Sequence, residues 1–469
     1  MTQFLGVLAI FALLVISVYS IAKPAWAFAL INLMFPFKQV LQGYFPQLVQ
    51  YGPQMSAAIA AIGAMAVLYK ASKKELSIKT VFHPVTWATL ALYAMVTFGL
   101  LYTPSPETAK RMYFDAIPYM VVFLLIYPFL LSSLDELRQG LFLTVLLGAI
   151  VTLLFLFNPS AEWAGGRFII NLGKTYGVTD FTSNPLALAD TGGMMMICAA
   201  FMNFRDKGRL GFVFTIAGLV LGLALTVVSG SRGQIIFAVI IAVTMYPIAR
   251  QVKNANQFIG VAAGVGFLML LIYLTFNFAL SEEATRRWSG NLVGEATEDR
   301  GKRLSMAISV FLSDPAAWVV GKGSNSFPFF TGSLIDYPHN IVAEIMLDYG
   351  IFGLTLFGIT LYYTFCYGRD MIRIWGNDPV ARGTVAAWIG TCMFAFMTSL
   401  KQGSIIGQPT PFYYWIILGK IFFDEQARAR QREFERELAG GEPLPVASDL
   451  PDLPLADDGY TQADAQYGQ

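Results

Sequence analysis

Apolar runs about as long as a hydrocarbon core is thick recur along this chain almost from end to end, separated by short polar stretches. The run from Ile235 to Ile248 is apolar on nearly every side, where a helix on the surface of a soluble domain would keep a polar face. In lipid each backbone N–H and C=O must be paired, and these runs are too long and too uniform for barrel strands. The pattern therefore predicts an all-α polytopic membrane protein. The expected spans cover roughly 4–21, 25–46, 54–70, 85–102, 114–132, 138–157, 185–203, 210–228, 232–249, 257–279, 340–365, 381–398 and 409–424. That makes about thirteen. Pro36 and Lys38 interrupt the second, and if it is re-entrant or interfacial the number falls to twelve and the N-terminus changes sides.

Basic residues then orient the chain. Lys70, Lys73 and Lys74, then Arg205, Lys207 and Arg209, then Arg250 and Lys253, then Arg369 and Arg373 fall in short loops that successive spans return to one side. The positive-inside rule makes that side cytoplasmic. Loops 158–184, 228–232, 280–339 and 399–408 face outward, into the periplasm if the membrane is a bacterial inner membrane. Loop 280–339 is the large one and contains a helix-like apolar run to Leu312. From Asp424 the chain turns charged, alternating Arg and Glu through Arg436, and from Gly440 to Gln469 it is rich in Pro and Asp. Residues 1–424 are thus expected to form the membrane domain, and 425–469 a cytoplasmic charged helix with a disordered tail. No basic region or small-residue cleavage site precedes Lys23, so Phe4 to Ser20 is expected to be a retained first span.

Composition agrees: 55% of residues are hydrophobic and 13% charged, against about 25% charged in soluble domains. A net charge of +1 supports no nucleic-acid partner. The three cysteines, Cys198, Cys366 and Cys392, fall in or beside spans without metal-ligand spacing and are expected to be core thiols. No metal site and no cofactor are expected.

The candidate chemistry is concentrated on the outer side. Ser229-Gly230-Ser231-Arg232-Gly233-Gln234 opens a span, placing a guanidinium where helix-start N–H groups also point toward any anion. Arginine grips phosphate through parallel hydrogen bonds, although an arginine here also suits simple snorkelling to the interface. The large loop carries Glu298-Asp299-Arg300-Gly301-Lys302-Arg303, whose charges nearly balance, so phosphate binding there must come from a placed residue such as Arg300 or Arg303 rather than a broad field. A solvated charge cluster is the alternative. Gly321-Lys322-Gly323-Ser324 lacks the earlier glycine of a nucleotide-binding loop, Ala316 standing in its place.

His339, one of two histidines, opens a span, where helix dipole and partial burial both favour the neutral ring, a form able to accept a hydroxyl proton. It also fits an interfacial packing role. Glu344 and Asp348, at i and i+4 in the same span, and Asp190 at the outer end of another, must be paired, protonated or hydrated. They suit either a proton relay or the anchoring of an arginine or helix end.

Taken together, Gly230-Ser231-Arg232-Gly233 at a span start, Arg300 with Pro315 and Gly321-Lys322-Gly323 after it, and His339-Asn340 followed by Asp348-Tyr349-Gly350-Ile351-Phe352-Gly353-Leu354 resemble the O-antigen ligase and Wzy polymerase superfamily. Arg167 and Asn184-Pro185 resemble the family's preceding outer loop. The resemblance implies a helical C-type glycosyltransferase fold and an undecaprenyl-diphosphate-linked glycan as donor. Arg232 and Arg300 would hold the diphosphate, with Arg303, Arg167, Lys322 and Asn340 as further substrate contacts, and His339 would deprotonate or position the acceptor hydroxyl. Transfer would invert the anomeric carbon without a metal. The acceptor would be a growing glycan, lipid A core or a pilin-like protein, and other polysaccharide-assembly proteins are expected partners. The chain departs from the family where Leu304 replaces a frequent tryptophan and Asp348 a frequent glutamate. The competing function is a proton-coupled transporter or lipid-linked sugar exporter working through Glu344, Asp348 and Asp190.

Overall fold

A computed structural model describes residues 2–172, 182–204, 208–252, 254–260, 290–333 and 336–438, with the single positions 263, 266 and 270. Most of the expected span 257–279, the loop cations Arg205, Lys207 and Lys253, and the tail from 439 lie outside the described residues. The chain divides into two units, Met1–Asp424 and Glu425–Gln469. In the second, Glu425 to Leu438 is helical, and Arg428 pairs with Glu425 at 2.8 Å.

The first unit is a multi-pass helical bundle. Among the described residues eight helical stretches are long and apolar enough to cross a membrane. Helix α1 (Thr2–Ala22) exposes Phe4, Phe11, Leu14 and Val18, as a helix facing lipid does. The second expected span is instead two helices, α2 (Pro24–Asn32) and α3 (Met34–Tyr44), meeting at Leu33. Pro36 has no N–H for the carbonyl of Asn32, so the ladder stops there. Phe28, Leu30, Ile31 and Val40 bury both pieces inside the bundle.

Helices α4 (Gly52–Ser72), α5 (Pro84–Gly99) and α6 (Pro106–Met120) follow, and α6 runs on through a π turn at Val121–Ile126 and a 3-10 turn at Tyr127–Leu130. Helix α7 (Leu134–Leu156) starts at Ser133, whose hydroxyl accepts from Glu136 N at 3.0 Å. A hairpin comes next, β1 (Ala161–Ala164) antiparallel to β2 (Arg167–Ile170), a small departure from an all-helical expectation. Its turn residues Gly165 and Gly166 both have positive φ, as a tight two-residue hairpin turn requires. Helix α8 (Pro185–Phe201) packs against α9 (Gly208–Val228), α10 (Arg232–Arg250) and the later helix Pro379–Gln402.

The large loop contains α11 (Gly290–Leu312), α12 (Pro315–Val320) and the short α13 (Phe327–Thr331). Helix α14 (Ile341–Ile374) has 34 residues, about 50 Å at 1.5 Å per residue, and is broken at Gly350 (φ 61°, ψ −151°). The α12–α13 loop fills that break: Lys322 N donates to Leu347 O at 2.8 Å and Gly323 N to Asp348 O at 3.0 Å. A Cβ on Gly350 would stand 2.5 Å from Val319 O, so glycine is required by both φ and space. Helices α15 (Pro379–Gln402) and α16 (Thr410–Leu438) complete the described chain.

Hydrogen bonds tie the loops into two ends. At one, Lys70 Nζ reaches Leu130 O, Ser132 Oγ and Glu136 at 3.2, 2.8 and 2.9 Å. At the same end Arg250 bonds Met202 O at 3.2 Å, and Arg382 Nε bonds Ala249 O at 3.1 Å. His83 is buried there against Ile416 O at 3.0 Å. The other end joins the loops expected to face outward, and it holds His339.

Candidate functional site

Five segments distant in sequence meet at this second end: the start of β2, the start of α10, the middle of α11, the strap 336–340 before α14, and the last turn of α15. They deliver Arg167, Arg232, Arg300, His339 and Lys401. Lys401 lies within electrostatic reach of Arg300, Arg167 and Arg232, and Arg300 within reach of Arg232 and His339. Arg232 follows Ser231 at the start of α10; its Nη1 and the Ser231 hydroxyl are buried without a hydrogen-bond partner among the described residues. Unmet buried donors beside clustered cations describe a place for an anion.

Arg300 and Arg303 separate clearly. Arg303 is held by Asp299 at 3.2 Å and by Asp336, tying α11 to the strap. Arg300 is exposed and makes no ion pair among the described residues.

His339 sits at φ +57°, a left-handed conformation unusual for a non-glycine residue, and its ring centroid is 3.9 Å from that of Tyr337. Burial lowers its pKa to about 4, with Arg303 and Arg300 adding to the depression. The ring is therefore neutral at physiological pH. Neighbouring side chains clamp the strap to the last turn of α15. Tyr337 Oη donates to Gln402 O at 3.3 Å and Asn340 Nδ2 to Leu400 O at 3.1 Å, while Asn340 Oδ1 caps α14 by accepting from Val342 N and Ala343 N. Glu344 accepts from Ser404 Oγ at 3.0 Å and Ile405 N at 3.3 Å.

Asp348 and Lys322 lie elsewhere. Asp348 accepts from Asn325 N at 2.8 Å and from Ser326 N and Oγ at 3.2 and 2.6 Å, fixing the α12–α13 loop. Lys322 pairs with Asp314 on that loop and shares no contact with the cation cluster among the described residues. Asp190 does join the cluster, accepting from Gln234 Nε2 at 3.1 Å and Gln402 Nε2 at 3.4 Å. It also borders a cavity of about 460 Å³ lined by Gln39, Tyr119, Asn184, Phe394 and Tyr414 among others.

Lys401 and Gln402 are absent from the residues singled out by sequence. The available signal was a lysine at the end of a long apolar span on the side assigned outward, against the usual bias of basic residues.

Among the described residues no three His, Cys, Asp or Glu side chains are arranged to hold a metal ion. Residues 217–358 match a family model, Wzy_C, described as O-antigen ligase; the match takes in Arg232, Arg300, Arg303 and His339 and ends before Lys401. No curated protein matches the chain.

Proposed function

We propose that this protein, whose residues 217–358 match the O-antigen ligase family model, transfers glycan from an undecaprenyl diphosphate donor to a hydroxyl acceptor at the periplasmic face of a bacterial inner membrane. The acceptor is a saccharide, on a second lipid-linked glycan or on lipid A core. One observation carries the proposal: Arg232, Arg300 and His339, far apart in sequence, converge where buried donors lack partners among the described residues.

In the proposed step the acceptor oxygen bonds to the anomeric carbon while the bond from that carbon to the diphosphate oxygen breaks, its electron pair leaving on the diphosphate. Arg232 and Arg300 stabilise that growing charge; removing one such donor typically costs about 10²–10³-fold in kcat. The neutral His339 imidazole accepts the hydroxyl proton. Attack opposite the leaving group inverts the anomeric carbon. Side-chain cations supply the electrostatics for which other enzymes recruit a divalent metal.

Coupling between sites adds a consequence. Arg300, one of the two arginines that depress the His339 pKa, faces the diphosphate in this reading, so donor binding offsets its field and makes the imidazole a stronger base when it is needed. The transporter alternative needs exchangeable carboxyls in the span interiors. Glu344 and Asp348 each hold a loop through two or more hydrogen bonds, which suits fixed anchors better than a relay.

The test is incubation of purified protein with an undecaprenyl-diphosphate oligosaccharide and candidate acceptors, with products analysed for length and attachment point. Wild type should form a new glycosidic product, and folded His339→Ala and Arg300→Ala variants should lose at least about 10²-fold in rate. Wild-type turnover in both variants would overturn the assignment.

A further inference from the structure

We infer that Lys401 is a third direct ligand of the donor's diphosphate, held in place by a frame of Gln234, Gln402 and Asp190; this rests on the function proposed above and adds a residue beyond the matched family segment. Lys401 Nζ donates to Gln234 Oε1 at 2.8 Å. Gln234 Nε2 in turn donates to Gln402 Oε1 at 3.0 Å and Asp190 Oδ1 at 3.1 Å, and Gln402 Nε2 to Asp190 Oδ2 at 3.4 Å. Three helices are joined this way: α8 through Asp190, α10 through Gln234 and α15 through Gln402.

Gln234 is two residues beyond Arg232 on the first turn of α10, so the frame fixes the ammonium relative to that guanidinium. Gly233 makes room for it. A Cβ at Gly233 would meet Lys401 Cδ, Cε and Nζ at 2.6, 2.8 and 2.8 Å, so the lysine stem lies directly across the glycine. Any larger residue there would push the ammonium away from Arg232.

Charge balance points to the ligand. Lys401, Arg167, Arg232 and Arg300 share this end of the bundle, and among the described residues Asp190 is the carboxylate within electrostatic reach of Lys401. Asp190 spends both oxygens on the glutamines and forms no ion pair with Lys401 among the described residues. A lysine placed only for structure would be expected to pair with that carboxylate. Here the amide of Gln234 stands between them, and among the described residues Gln234 takes one of the three ammonium N–H donors, leaving two for a ligand. Clustered cations at a partly buried site are stabilised by an anion carrying more than one charge, which a diphosphate does and a neutral sugar does not.

The experiment measures binding of undecaprenyl diphosphate, undecaprenyl monophosphate and undecaprenol to the full-length protein in nanodiscs, for wild type, Lys401→Met and Lys401→Arg. Losing one charge-assisted contact should weaken diphosphate binding roughly 10- to 100-fold in Lys401→Met, with a smaller loss for the monophosphate and none for undecaprenol. Lys401→Arg should recover part of the loss. A merely structural lysine would lower the melting temperature and weaken all three lipids alike, overturning the assignment, as would diphosphate binding within twofold of wild type in Lys401→Met. If Lys401→Met does not fold, Lys401→Gln is measured in its place against the same criteria. Wild type that fails to prefer undecaprenyl diphosphate over undecaprenol would overturn both the function proposed above and this extension; preference retained in wild type and in Lys401→Met alike overturns the extension alone.

Discussion

Replacing Arg300 with methionine should move the titration of His339 upward without disturbing the fold. The imidazole is lowered from 6.5 to about 4 by burial first, then by Arg303 and Arg300. Burial survives the substitution, and Arg303 keeps its partners Asp299 and Asp336, so only the Arg300 contribution is lost. For a half-exposed pair screened by solvent that contribution is of the order of half to one pH unit. The sign follows from the charge: a cation disfavours imidazolium, so removing it raises the pKa. The assay is an NMR titration of imidazole-labelled protein, which contains only two histidines. His83, buried at the opposite end beside Ile416, supplies an internal control that should not move. Undecaprenyl diphosphate added to wild type should shift His339 in the same upward direction, because it offsets the same field. A wild-type His339 titrating near 6.5, or one unmoved by both Arg300→Met and Arg303→Met, would refute the coupling.

Three further outcomes are expected. Asp348→Ala should destabilise the protein by about 2–4 kcal/mol in thermal unfolding, because the buried donors of Asn325 and Ser326 lose their acceptor; an unchanged melting temperature would argue against an anchoring role. Gly350→Ala should cost at least about 2 kcal/mol from its φ of 61° and the approach to Val319 O, read by the same melt. Activity of wild type should fall only as pH drops through about 4, where His339 takes up a proton, and stay level to neutral pH; an acid limb centred near 6.5 in kcat/KM would contradict the neutral-base role.

Much of the architecture can be read from local pattern alone. Uniformly apolar runs demand helices wherever lipid is the solvent, and loop cations sort the ends, so the segment after Ser229 and the strap before Asn340 could be placed on one side without coordinates. Arg232, Arg300 and His339 stand out as candidates because each marks a span start or a polar loop and because together they fit the family resemblance. Hydropathy groups residues 25–46 into one run, and Pro36 with Lys38 already marks that run as interrupted; the break itself, at Leu33, is visible only in the fold.

Choosing between Arg300 and Arg303 required knowing that Asp336, thirty-three positions away, captures the latter. Assigning Glu344 and Asp348 to loop anchoring required their partners at Ser404 and Ser326. Lys401 acquired meaning only from Gln234, 167 residues earlier. Hydrophobicity acts over a few neighbouring residues and is written into the order of the chain. The meeting of side chains from five segments is set by how helices pack, and that is a property of the assembled bundle.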